Sequence, residues 1–417
     1  MSPRRALSPE GFYGWHVVAW SAIALAATGP GQTVGVSLFI DPLIAELGLT
    51  RSSVSTAYLI GTLAGAIALP WIGRALDRFG VRRSMAVIGG VFGAVLIGVS
   101  HVSSLTGLTL GFVGLRMAGQ GALGLAASTA VALWFSRRRG TAAGLVSAIG
   151  SMGISATPLM IEPLMAAWGW RTVWQVQGVA IWLVVIPLGL LAMRDRPSDL
   201  GQRPDGPVRA DQRHHAPYRP AGLTRAEALR HPYFWMISVA VALTGVLTTA
   251  VAFHQISLLT SRGLTTTEAA ANFIPQTVAG LVGTLGVGYL MDRFAGRWLI
   301  VTSMVSLSLA LVWGVVVGPG WSAIGFGAVL GASGAMIRAV EVAALPRYFG
   351  TMHIGSIRGV VIAISVAGTA VGPLLFASVF DAVGSYGPAL TASALAPVLV
   401  AGWALVVTEP TVAAEEM

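Results

Sequence analysis

Arg116 and Arg338 lie inside stretches otherwise apolar enough for a bilayer, and their chemistry narrows what the chain can do. A guanidinium stays charged in a protein and can grip a carboxylate through two parallel hydrogen bonds. At membrane depth it costs about 2.5–3.5 kcal/mol on insertion scales, so it faces water or a partner. Arg116 can bind an anionic substrate, modulate a proton site, or bond to backbone carbonyls as a structural residue. Arg338 precedes Glu341 by three residues, which sets the two on one helical face. They form either a self-neutralising pair or a site in which Arg338 holds a carboxylate while Glu341 takes a proton. In the second case substrate competes with Glu341 for the guanidinium, which couples the two. His254, beside Gln255, has an ordinary pKa near neutrality. At the end of an apolar span it reads as a titrating ligand or as a hydrogen-bonded helix-end group.

Other chemistries are excluded. The sequence has no cysteine, so disulfides, thiolate metal sites and cysteine nucleophiles are absent. All 26 basic residues are arginine, which removes Schiff-base and P-loop lysine mechanisms. His214 and His215 form a pair in a polar stretch with no further metal-ligand spacing. No Ser/His/Asp arrangement is visible, so neither an enzyme nor an ATPase is expected, and no metal or cofactor. Gly119-Gln120-Gly121-Ala122-Leu123-Gly124 has the GxGxxG pattern but sits in a helix-length apolar run, without the strand and acidic residue that dinucleotide binding needs. Small residues for helix packing account for it better.

The elements that position these residues are membrane spans. The 417 residues are 55% hydrophobic and 10% charged, far from the composition of a water-soluble domain. Twelve apolar stretches suffice to cross about 30 Å of hydrocarbon. They run over 15–40, 54–72, 84–102, 106–134, 141–165 and 172–193, then 233–260, 269–291, 298–318, 321–348, 355–380 and 388–408. The first is too long for a signal peptide and is expected to be retained. Residues 194–232, rich in Pro, Arg and Asp, have the composition of an exposed linker between halves 1–193 and 233–417. With the N-terminus inside, only Arg51, Arg171 and Arg262 fall on outer segments, and all arginines beyond these and the two intramembrane ones fall inside. That asymmetry places both termini in the cytoplasm and explains the net charge of +9 without a nucleic-acid partner.

The halves are a repeat. An offset of 215 residues lays Gly48-Leu49-Thr50 on Gly263-Leu264-Thr265, and Gly73, Asp77, Arg78 and Phe79 on Gly288, Asp292, Arg293 and Phe294. Gly144, Ala148, Gly153 and Pro158 fall on Gly359, Ala363, Gly368 and Pro373. Six spans per unit make the repeats parallel, with a substrate site expected between them near mid-membrane. Neither Arg116 nor Arg338 has a counterpart: they fall near Leu330 and Gly124.

Gly73-Arg74-Ala75-Leu76-Asp77-Arg78-Phe79-Gly80-Val81-Arg82-Arg83 is expected in a short loop between the second and third spans. Its glycines permit a tight turn, and its charges either gate the inner mouth or only fix topology. This segment resembles the signature loop of the major facilitator superfamily. Arg116-x2-Gly119-x-Gly121-x2-Gly124 resembles that family's fourth-helix motif, and Gly368-x3-Gly372-Pro373 its glycine-proline motif, here better formed on the eleventh span. Glu10-Gly11-Phe12-Tyr13-Gly14-Trp15 and Trp134-Phe135-Ser136-Arg137-Arg138-Arg139 resemble motifs of the monocarboxylate-transporter branch. That branch's first-helix lysine and eighth-helix Asp/Arg pair are missing; Gln32, Thr33, Gly280 and Thr284 stand near those places.

The resemblance implies an all-α membrane protein of major facilitator fold, with a cavity lined by the first, fourth, seventh and tenth spans. Substrate-binding candidates are then Gln32, Thr33, Arg116, Gln120, His254 and Arg338, with Glu341 and Arg338 for proton coupling. Gly73, Asp77, Arg78, Gly80, Arg82, Asp292 and Arg293 are the gating candidates. A monomeric secondary transporter in the plasma membrane is expected (the inner membrane in a Gram-negative cell). It moves a small, monocarboxylate-like anion with protons; the alternative is a proton-coupled exporter of a hydrophobic drug.

Overall fold

The computed structural model describes residues 12–136, 138–205, 222–291, 294–350 and 353–409, and they are built of helices. Asp292 and Arg293 lie outside them, as do Glu10, Gly11 and Arg137. Two compact units emerge: Met1–Gly35 with Ala64–Ala216, and Val36–Leu63 with Pro217–Met417. Among the described residues seven helices are long and apolar enough to cross a membrane.

The first unit begins with α1 (Gly14–Ala26). The single helix expected over 15–40 does not form. Gly29-Pro30-Gly31 makes one 3₁₀ turn and Gln32 is extended, with ψ 157°. Proline has no N–H to give, and its ring excludes the helical turn before it, so α1 stops. Helical turns resume at Thr33–Val36 and Ser37–Phe39 and run into α2 (Ile40–Leu47), which belongs to the second unit. Helix α3 (Arg51–Val99) passes from the second unit into the first and bends at Gly80.

This bend corrects the expected loop over 73–83. Residues 73–79 are helical, and the turn shrinks to Gly80, whose φ of 80° and ψ of 161° suit glycine. Past α4 (Leu105–Gly114) the helix widens into a π segment, Leu115–Leu123, before α5 (Gly124–Trp134). Helix α6 (Arg139–Pro187) repeats the one-glycine bend at Gly169, with φ 73° and ψ 162°.

The second unit holds α7 (Pro232–Thr260), α8 (Phe273–Met291), α9 (Gly296–Val316), α10 (Trp321–Phe349), α11 (Ile354–Val383) and α12 (Gly387–Val406). Helices α8 and α10 pack so closely that a Cβ on Gly331 would overlap the Gln276 carbonyl oxygen, and α11 meets α7 likewise at Gly372 and Val246. Such contacts replace the hydrophobic drive that lipid does not supply.

The Gly-Leu-Thr repeat has one local meaning in both places. Gly48 (φ 63°) and Gly263 (φ 89°) end one helix in the left-handed region. Thr50 and Thr265 then start the next, their hydroxyls accepting N–H bonds from Ser53 (3.1 Å) and Glu268 (3.2 Å). The backbone N–H and hydroxyl of Thr265 hold the Glu268 carboxyl below the usual carboxylate range.

A second repeat joins each unit's sixth apolar stretch to its third. In the first unit Asp195 Oδ1 accepts the Arg82 N–H at 2.8 Å, just past the Gly80 bend. A Cβ on Gly80 would stand 2.6–2.8 Å from that carboxylate, so the glycine serves the approach as well as the turn. In the second unit Glu409 Oε1 accepts the Arg297 N–H at 3.1 Å, at the start of α9, while Tyr348 donates to Oε2 at 2.6 Å. Arg82 and Arg297 are 215 residues apart. Each carboxylate satisfies an orphan amide at a helix start, where negative charge is favoured. The linker is docked at its beginning too: Asp205 accepts N–H bonds from Ser136 (3.0 Å) and Arg138 (3.1 Å).

Candidate functional site

In the first unit two irregular backbones meet. The 3₁₀ turn at 29–31 packs on the π segment 115–123. Irregular backbone at membrane depth needs internal partners, because lipid offers none. Arg116 supplies one: its guanidinium donates to Gly31 O at 3.3 Å, and the side chain is only 3% exposed. Its charge also suits the carboxyl end of interrupted α1. Of the readings open to Arg116, the geometry here matches the structural one. Gln32 is half-buried and donates to the Thr28 hydroxyl at 2.9 Å. Thr33 is half-buried as well, and Gln120 is exposed.

The monocarboxylate-like motifs of this unit also come together. Phe12 lies 5.3 Å from Phe135, Tyr13 5.6 Å from Trp134 and Trp15 5.1 Å from Phe135, ring centre to ring centre. Tyr13 Oη donates to Ala192 O at 2.6 Å, and Trp134 Nε1 to Arg194 O at 3.1 Å. Both motifs are therefore packing devices that tie the start of α1 to the end of α5.

The gating candidates of the first unit sit around the bend. Gly73 and Gly80 are half-buried, and Asp77, Arg78 and Arg82 are exposed. Arg78 stacks over Phe79 at 5.3 Å. Arg82 Nε donates to Leu190 O at 2.8 Å. Asp77 has no hydrogen bond or ion pair among the described residues.

In the second unit His254 is 1% exposed and both its ring nitrogens are engaged. Nε2 lies 2.9 Å from Pro373 O and Nδ1 3.2 Å from Tyr386 Oη. The ring cross-links α7, α11 and the approach to α12, which leaves no nitrogen for a ligand. Nearby, Arg51 pairs with Asp41 at 2.7 Å and lies 4.5 Å over the Phe380 ring. Ser52 N–H donates to Asp381 Oδ2 at 2.9 Å.

Arg338 and Glu341 do share a face of α10, but the carboxylate is taken elsewhere. Glu341 Oε1 accepts from Arg358 Nε on α11 at 3.3 Å. Sequence reasoning missed Arg358 because nothing local says that the first turns of α11 lie beside the later turns of α10. Arg338, in the later half of α10, keeps exposed surface although protein packs densely around it, and has no hydrogen bond or ion pair among the described residues. Ala328, Val329, Ala332 and Met336 line the apolar grooves beside α8 and α9, about 500 and 460 Å³ in volume. At 100° per residue Arg338 points to the opposite side of α10. Its Nη1 turns back along the helix to within 3.7 Å of where a Gly334 Cβ would stand, beside Thr244 and Thr248 of α7. A guanidinium fork of this kind can take a carboxylate through two parallel hydrogen bonds.

Comparison with known proteins agrees with this architecture. The chain is 27% identical over 301 residues to the uncharacterized MFS-type transporter YhjX of Escherichia coli (strain K12), covering 70% of each chain. It is 27% identical over 420 residues to monocarboxylate transporter 13 of Bos taurus, covering 97% of this chain and 91% of the relative. Its fold matches a bacterial homolog of the human lysosomal transporter Spinster, solved in an inward-facing and occupied conformation. The TM-score is 0.67 at 16% identity, over 96% of this chain and 97% of that one. The family model described as Major Facilitator Superfamily matches residues 19–283, and this multi-pass membrane protein, a transporter rather than an enzyme, belongs to that family.

Proposed function

We propose that the chain is a secondary active transporter that moves a small organic anion, monocarboxylate-like, together with protons by alternating access. We read it as crossing the plasma membrane (the inner membrane in a Gram-negative cell) twelve times with both termini in the cytoplasm; the apolar stretches support the number and the arginine distribution the orientation. The observation that carries the reading is Arg338, which keeps exposed surface in the later half of α10 and has no hydrogen bond or ion pair among the described residues. It is the anchor for the carboxylate. Glu341, one turn away, is the proton group: neutralising it leaves two guanidinium groups for the anion, so proton and substrate bind in mutual support. Arg116 and His254, closed off by their own hydrogen bonds, hold helices in place. The monocarboxylate transporter among the relatives supports the substrate class.

The test is uptake of acetate, pyruvate and lactate into proteoliposomes loaded with a pH dye. Substrate-dependent acidification of the lumen is expected for at least one of them. No proton flux with any would overturn this reading.

A further inference from the structure

Glu341 has two guanidinium groups within its neighbourhood and binds the one from the other helix. Its side chain is 9% exposed and its Oε1 lies 3.3 Å from Arg358 Nε. Arg338, three residues back on the same face, is the partner that sequence spacing favours. Its guanidinium makes no hydrogen bond or ion pair with that carboxylate, which it feels only through space, and its Nη1 lies near Gly334 and the α7 threonines. The surrounding helices offer little else to compensate charge. Helices α8 and α12 carry no charged residue, α9 only Arg297 in its first turn, and α7 only His254, whose ring is sealed. Arg347 stands near the end of α10 and Asp381 near the far end of α11. Two cations and one carboxylate thus leave a net positive charge, and which guanidinium is left without a bonded partner depends on which one Glu341 binds.

We propose that Arg358 is a positioning residue for the anion site: by holding Glu341 against α11 it keeps the Arg338 guanidinium without a bonded partner and open to an anion. This rests on the reading of Arg338 as the anchor, and it adds what preserves that anchor. Without Arg358, Glu341 rotates to the vacant guanidinium one turn away. The site then becomes the self-neutralised pair that the sequence alone allows, and an incoming carboxylate must displace Glu341.

The experiment reads the Arg338 guanidinium directly. The full chain in proteoliposomes is treated with phenylglyoxal, which modifies accessible arginines, and adduct formation at Arg338 is followed by peptide mass spectrometry. Arg338 is expected to label readily in the wild type, about tenfold more slowly in Arg358→Gln, and at the wild-type rate again in the Arg358→Gln/Glu341→Gln double variant. The rescue separates positioning from a fold effect, since a merely structural loss would not be restored by removing a second charge. Equilibrium binding of pyruvate should follow the same order, weaker by about tenfold in Arg358→Gln and recovered in the double variant. Wild-type labelling of Arg338 in Arg358→Gln, or lasting protection in the double variant, would overturn the proposal. If Arg358→Gln does not accumulate, Glu341→Gln alone decides: unchanged Arg338 labelling supports the assignment, and a marked rise shows that Glu341 was already masking Arg338. A wild type that transports no carboxylate refutes the anchor reading and leaves the labelling pattern to be judged separately.

Discussion

Arg116 and Arg338 are the same residue type in apolar surroundings, one in each unit, and their fates are opposite. Arg116 is sealed against a carbonyl freed where α1 breaks. Arg338 sits on a regular helix with exposed surface and has no hydrogen bond or ion pair among the described residues, Glu341 being bound to Arg358. The difference teaches that a cation at membrane depth can be taken up by the backbone around it before any ligand is considered. Where a helix is interrupted, the interruption itself is a sufficient partner for a cation.

The largest test of this contrast is Arg338→Ala. Uptake of the carboxylate should fall at least about 100-fold, in line with the loss of a desolvated charge-assisted pair, while the unfolding midpoint in detergent stays within error. Arg338→Lys should recover part of it, because an ammonium lacks the planar fork. Arg116→Ala should do the reverse. It leaves the Gly31 carbonyl without its donor, at about 1–3 kcal/mol, read as a lower midpoint and less folded protein. Activity per folded molecule changes far less than for Arg338→Ala, and the opposite ranking would reverse the assignment of anchor and strut.

Gly331→Ala addresses the regular helix that presents Arg338. The new methyl overlaps the Gln276 carbonyl, so α8 and α10 must separate, at about 1–3 kcal/mol. A thermal shift near zero would mean that this contact is loose. Next in size are Asp195→Asn and Glu409→Gln. Each weakens a helix-start cap by about 1 kcal/mol or less, and near-equal shifts in the midpoint would show that the two units use the device alike. The smallest effect belongs to Glu268. Its carboxyl is held low by Thr265, so its capping contribution is present above pH about 4.3, the ordinary glutamate value, and fades as pH falls through the lowered one. Helical circular dichroism of Glu268→Gln should be flat over that range where the wild type falls slightly.

Much of the scaffold was legible because repetition and composition are carried by many residues at once. The Gly-Leu-Thr pair reads as a helix end followed by a cap wherever it occurs, and both copies do that. The break at 29–31 was also written in the chain, since Gly-Pro-Gly inside a 26-residue span is a breaker; overall hydropathy hid it. Charge and glycine over 73–83 suggest a loop. The structure needs only Gly80, since neighbouring residues remain within helical hydrogen bonding. The partner of Glu341 was not legible. Spacing along one helix names Arg338, and only the packing of α11 beside α10 brings Arg358 within 3.3 Å. His254 was open for a related reason: both its partners lie more than a hundred residues away in sequence.

The carboxylates after the sixth and last apolar stretches have a practical side. Asp195 and Glu409 each fasten the strand leaving their unit to that unit's own helix start. A reporter can therefore be attached just beyond Glu409 with its clasp intact, whereas after the first unit the break belongs beyond Asp205, which docks on Ser136 and Arg138. A fusion made directly after Val406 discards Glu409 and leaves both the Arg297 amide and the Tyr348 hydroxyl searching for water at the mouth of the bundle.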